Sequence, residues 1–146
     1  MTLTATQPTS TTTGRPGRHL LARVLGAVLA LGVTAIHIQD QGGFPGDKSP
    51  HYVGIAYYLL EAAGLLAAFV LLFAPVRQQA RTWLLAVGVA VGPLIGFVWS
   101  RGPGMPNYTD DKGNWTEPIG IYSLVAEGLL LALAVAMLAR TRGNRH

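Results

Sequence analysis

The sequence predicts an all-α fold, an integral membrane four-helix bundle, and three observations carry that prediction. Half of the 146 residues are hydrophobic and only 12% are charged. The apolar residues fall in four long blocks rather than at amphipathic spacing, and the charges between the blocks sort by sign. A bilayer core of about 30 Å needs roughly 20 apolar residues at about 1.5 Å rise each, which every block supplies.

Taken in order, residues 1–18 form a Thr/Pro/Gly-rich tail with almost nothing to bury, expected to be disordered. Residues 19–140 are expected to form a single transmembrane domain, with spans at about 20–38, 52–74, 82–100 and 118–139, and residues 141–146 a short basic tail. The first block competes with a secretory signal, because arginines precede it and Val33 to Ala35 offer a small-residue cleavage site. It continues through Ile36 and Ile38, so it reads as a retained span.

Short cytoplasmic loops keep Lys and Arg, which sets the orientation. Arg15, Arg18, Arg23, Arg77, Arg81, Arg140, Arg142 and Arg145 flank the spans on one side, and no acid accompanies them. Asp40, Asp47, Asp110, Asp111 and Glu117 lie in or beside the other two loops. Both termini are therefore expected to be cytoplasmic. The net charge of +4 follows from this topology and from attraction to anionic lipid, and no nucleic-acid partner is expected. The Arg-rich, Lys-poor and Ala/Gly/Val-rich composition points to a high-GC bacterium, hence to a plasma membrane. The absence of Cys excludes disulfides, thiol catalysis and cysteine-ligated metal clusters.

The chain also repeats. Moving the second half back by 66 places aligns VGIAYYLLEA (53–62) with IGIYSLVAEG (119–128), and the loops before them, QGGFPG and RGPGMPN, correspond. Two helical hairpins of the same topology, 19–75 and 82–140, are expected. The repeat places Glu61 and Glu127 nine residues into their spans, roughly 13 to 14 Å deep at about 1.5 Å per residue. A carboxylate at that depth costs at least about 2.5 kcal/mol if ionised, so each is expected to face the bundle interior and to be protonated or partnered. Tyr57 and Tyr58, four and three residues before Glu61, and Ser123, four before Glu127, are the candidate partners of a buried polar site. His37, Asp40, Arg101 and Glu117 form a candidate outer-face cluster, from which a polar track runs through Tyr57 and Ser123 to the two acids.

Gly88, Gly92 and Gly96 make two GxxxG steps on the third span, and Gly26 belongs to a small-residue stripe on the first; close helix packing is expected at all four. Pro93 is expected to kink the third span and free the Val89 carbonyl.

The stretch 99–128 is the most distinctive. An SRxxGxP turn (Ser100, Arg101, Gly104, Pro106) precedes WxEPxGxxSLxxE (Trp115, Glu117, Pro118, Gly120, Ser123, Leu124, Glu127). This pattern resembles uncharacterised small four-span membrane proteins of actinomycetes. The resemblance implies a membrane location and no established activity, and Met105 stands where the pattern would carry Leu. No nucleophile–base pair, phosphate loop or metal-ligand box is present, so no catalytic residue, metal or cofactor is expected. The functional expectation is an accessory or structural bundle, a homodimer or part of a larger membrane complex. The alternative is a proton- or cation-linked transporter, or a small-ligand-binding membrane unit, built on the Glu61/Glu127 pair.

Overall fold

The computed structural model describes residues 16–143; the calls on residues 1–15 and 144–146 lie outside them. Four helices follow one another: α1 (Pro16–Asp40), α2 (His51–Phe73), α3 (Gln79–Arg101) and α4 (Pro118–Gly143), with a single 3₁₀ turn, Val76–Gln78, between α2 and α3. Each overruns its predicted span at one or both ends, because the flanking polar residues lengthen the helix without lengthening the apolar block. All four are long and apolar enough to cross a membrane.

The helices form an up-down-up-down bundle. Helix α1 packs against α2 and α4, α3 packs against α4 and α2, and α1 meets α3 only lightly across the diagonal. What faces outward is apolar: Leu59, Phe69, Leu84, Val125 and Leu129 are all more than half exposed. What is buried includes His37, Gln41, Glu61, Ser100, Arg101, Ser123 and Glu127. A shell more apolar than its interior is stable in hydrocarbon and unstable in water, so the chain is an integral membrane protein.

The two ends differ in chemistry. At the arginine-rich end, Trp83 of α3 is completely buried, and α1 can pass it because residue 26 is glycine. A Cβ there would lie 2.9 Å from the indole ring. Around this crossing Ala27, Ala30, Leu71, Ala86, Leu130, Ala134 and Met137 close a dry core. Arg23 reaches from α1 to the end of α2 and donates to the carbonyls of Leu71 and Ala74, both left without an intrahelical donor. Halfway along, Gly64 of α2 lies against Thr34 and the Ala30 carbonyl, so the first hairpin closes with backbone nearly in contact.

At the acidic end the bundle opens, and two shaped loops cover it. After α1, Gly42 and Gly43 both take positive φ, and the Gly43 N–H returns to the Ile38 carbonyl. After α3, Met105 and Tyr108 pair backbone to backbone across Pro106 and Asn107, whose φ of 56° suits the turn. The Gly113 N–H then bonds the Arg101 carbonyl, tying the long loop back to the helix end. Pro118 begins α4 at the first helical position, where a missing N–H costs nothing.

Candidate functional site

Helix α1 stops short of α2: Asp40, its last residue, meets Tyr57, six residues into α2, a difference of about 9 Å at 1.5 Å per residue. The space left by that offset, between the helices and under the loop 102–117, is a cavity of about 590 Å³. Its wall is polar toward the acidic end, with His37, Asp40, Tyr57, Arg101, Tyr108 and Ser123, and apolar below, with Leu60, Ala63, Leu85, Val89 and Pro93.

The glycines of α3 hold the cavity open. Gly88, Gly92 and Gly96 all border it, and a Cβ on any of them would meet no atom within 4 Å. Close packing at these three, expected from their spacing, is therefore not what the fold uses within this chain. The GxxxG spacing selects one face of α3, and the helix is rotated so that this face looks across the gap to α2. Gly26, by contrast, does sit in close contact. Gly88, Gly92 and Leu59, which is 67% exposed, lie at the rim, so the cavity opens sideways between α2 and α3.

Each buried carboxyl has its own partners. Glu127 is wholly buried and accepts the Ser123 hydroxyl, four residues earlier on α4. Its Oε1 also lies 3.8 Å from His37 Nε2. The other ring nitrogen, Nδ1, is 2.9 Å from the Val33 carbonyl, which can only accept, so Nδ1 carries a proton. A neutral His37 therefore turns a bare Nε2 toward Glu127, across a gap too long for a direct hydrogen bond. Among the described residues, Glu127 Oε2 has no hydrogen-bond partner. His37 and Ser123 border the cavity and Glu127 stands behind them.

Glu61 belongs to a different arrangement. Gln41, the first residue after α1 and almost fully buried, donates to Glu61 Oε1 at 2.5 Å. Gly46 packs directly on the Gln41 side chain, and Tyr58 donates to the Gly46 carbonyl at 3.0 Å. Tyr57 donates to Asp40, which also meets Lys48 at 3.3 Å. Neither tyrosine hydroxyl reaches Glu61, and the two glutamates share no partner. Gln41 is the residue the sequence reading missed; its only signal was an amide beside the Gly-Gly that ends α1.

Arg101 organises the remaining polar wall and is 8% exposed. It donates to Glu117 at 2.6 Å, to the Asn114 carbonyl at 2.9 Å and to Ser100 at 3.1 Å, and it lies 3.5 Å from Asp111. Its guanidinium carbon also sits 4.1 Å from the centre of the Phe97 ring. A buried arginine is tolerable only with this degree of pairing. Tyr108 donates to Asp111 at 2.8 Å, and burial together with that bond pushes its phenol well above the usual range. Among the described residues no three His, Asp or Glu side chains converge as a metal ion would require.

His37, Asp40, Tyr57, Arg101 and Ser123, which the sequence set along one track, thus share one cavity wall. Glu117 reaches that wall through Arg101. Compared with known proteins, the chain matches no family model, no curated protein and no solved structure.

Proposed function

We propose that this membrane protein binds a small amphipathic molecule, with its polar head at the acidic end of the cavity and its apolar part leaving between α2 and α3. One observation carries the reading: a cavity of about 590 Å³, polar at the end under the loop 102–117, opens sideways past the glycine face of α3. Ligand sites in bundles combine apolar walls with a few fixed polar groups in this way. A bundle serving only as a scaffold gains nothing from leaving that volume unfilled, since each unfilled space forfeits packing. The polar wall needs its own reason, and a ligand head supplies one.

The chain would sit in a bacterial plasma membrane with both termini cytoplasmic, which the six described arginines at one end favour. The likeness of residues 99–128 to small actinomycete membrane proteins supports the same setting. An accessory role within a larger complex is compatible with ligand binding, and the exposed glycine face of α3 is where a second copy would leave its mark.

The test compares wild type with Gly92→Leu, both extracted in mild detergent and examined by native mass spectrometry and size exclusion. The expected result is a co-purifying amphiphile on wild type, lost from Gly92→Leu at unchanged oligomeric state. Loss of a dimer with no bound small molecule would overturn ligand binding and return the glycine face to helix packing.

A further inference from the structure

We infer that the head group taken by this cavity is a monocation, so that the ligand class is a protonated lipophilic amine. The inference rests on the cavity reading above and adds the chemistry of the head. It follows from where the protons on the polar wall are spent. Tyr57 gives its hydroxyl proton to Asp40, Tyr108 to Asp111, Ser123 to Glu127, and Ser100 to the Phe97 carbonyl. His37 Nδ1 is committed to the Val33 carbonyl. Arg101 spends Nε on Asn114, one terminal nitrogen on Ser100 and Asp111, and the other on Glu117. Helix α4 closes over that last nitrogen, since a Cβ on Gly120 would be 3.1 Å from it.

What the wall has left to offer is almost entirely acceptors. They are the lone pairs of the Tyr57, Tyr108 and Ser123 hydroxyls and the carboxylates of Asp40 and Asp111. Below them, Pro93 has no N–H for the Val89 carbonyl, and both residues border the same cavity. The charges agree. Among the described residues, Asp40, Asp111 and Glu117 pair with Arg101 and Lys48, leaving one negative charge in excess. A carboxylate or phosphate head would meet acceptors and like charge, which costs affinity. A neutral alcohol would satisfy one acceptor and leave the charge unanswered. An ammonium carries three donors and the missing charge.

The test uses three twelve-carbon probes that differ only in the head: dodecylamine, cationic at neutral pH, dodecanol and dodecanoate. Binding of each probe, radiolabelled in turn, to the full chain in phosphatidylcholine nanodiscs is measured against empty discs, and the other two are also used as competitors of dodecylamine. The expected result is saturable binding of about one dodecylamine per chain. Dodecanol and dodecanoate should compete at least about tenfold more weakly, as a charge-assisted hydrogen bond implies. Gly92→Leu should abolish the binding, and Asp111→Asn should weaken it by about tenfold. Asp40→Asn reads the same effect should the Asp111 variant fail to fold. Equal competition by all three probes would overturn the cationic head while leaving the cavity reading intact. Absence of saturable binding by any probe would overturn both.

Discussion

Two glycines that look alike in the sequence should respond in opposite directions to one substitution. Gly26 and Gly92 both lie on small-residue helix faces, yet a Cβ at Gly26 would sit 2.9 Å from the buried Trp83 ring, and one at Gly92 would meet nothing within 4 Å. Replacing either by Leu recovers about 0.8 kcal/mol of helix propensity. At Gly92 nothing opposes that gain, so Gly92→Leu should be more stable than wild type by about 0.8 kcal/mol. At Gly26 the side chain must displace a ring that is 0% exposed, and overpacking costs up to about 3 kcal/mol, leaving a net loss of about 2 kcal/mol. The two variants should differ by about 3 kcal/mol. At roughly 3 °C per kcal/mol for a chain of this length, that is a gap of about 10 °C in Tm. Thermal unfolding in lipid nanodiscs followed by circular dichroism measures it. Equal melting temperatures, or Gly92→Leu melting below Gly26→Leu, would refute the assignment of one glycine to a helix crossing and the other to a cavity.

Three further outcomes follow from the polar groups. Glu127→Gln should retain near wild-type stability, because the amide still accepts from Ser123 and keeps a polar group facing His37; Glu127→Leu strands the buried Ser123 hydroxyl and should cost about 1–3 kcal/mol. Equal losses in the two would mean that a charged carboxylate is required. Arg101→Met, which leaves its carboxylate partners and the Asn114 carbonyl unanswered, should cost about 3 kcal/mol and make residues 102–117 protease-sensitive; Glu117→Gln, at the wetter end of the pair, should cost about 1 kcal/mol or less. Tyr108 ionises above its unfolded value near 10, so its contribution is intact below about pH 10 and is lost as the pH rises from there through the raised folded value. The stability difference between wild type and Tyr108→Phe should therefore be constant below about pH 10 and shrink above it, and a difference that already changes with pH near neutrality would contradict this.

Much of this molecule was readable from the order of its residues. Block length and apolarity specify the four helices because hydrocarbon leaves the backbone few alternatives. The four-residue step makes the Ser123–Glu127 hydrogen bond readable, since both ends lie on one helix. The same rule points Tyr57 to Glu61, and there the fold decides otherwise. Helix α1 ends beside Tyr57, so Asp40 takes its proton, while Gln41, one residue beyond the helix, takes Glu61. Such pairings depend on how far one helix overshoots another, which no local pattern encodes. The glycines illustrate the same limit: GxxxG identifies a face free of side chains, and the rotation of α3 decides whether a helix or a cavity lies opposite. Arg23 reads in sequence only as a topology charge, whereas it also satisfies the end of α2.

Because the chain contains no Cys, a single label can be placed where the cavity meets the bilayer. A nitroxide on Gly92→Cys in phosphatidylcholine bilayers, with collision rates measured against dissolved oxygen and a water-soluble nickel complex, tests the open glycine face directly. High oxygen access with little nickel access, falling when dodecylamine is added, is the predicted result. A label inaccessible to both from the start would contradict it, because a helix or a second copy would then cover the face assigned to the ligand.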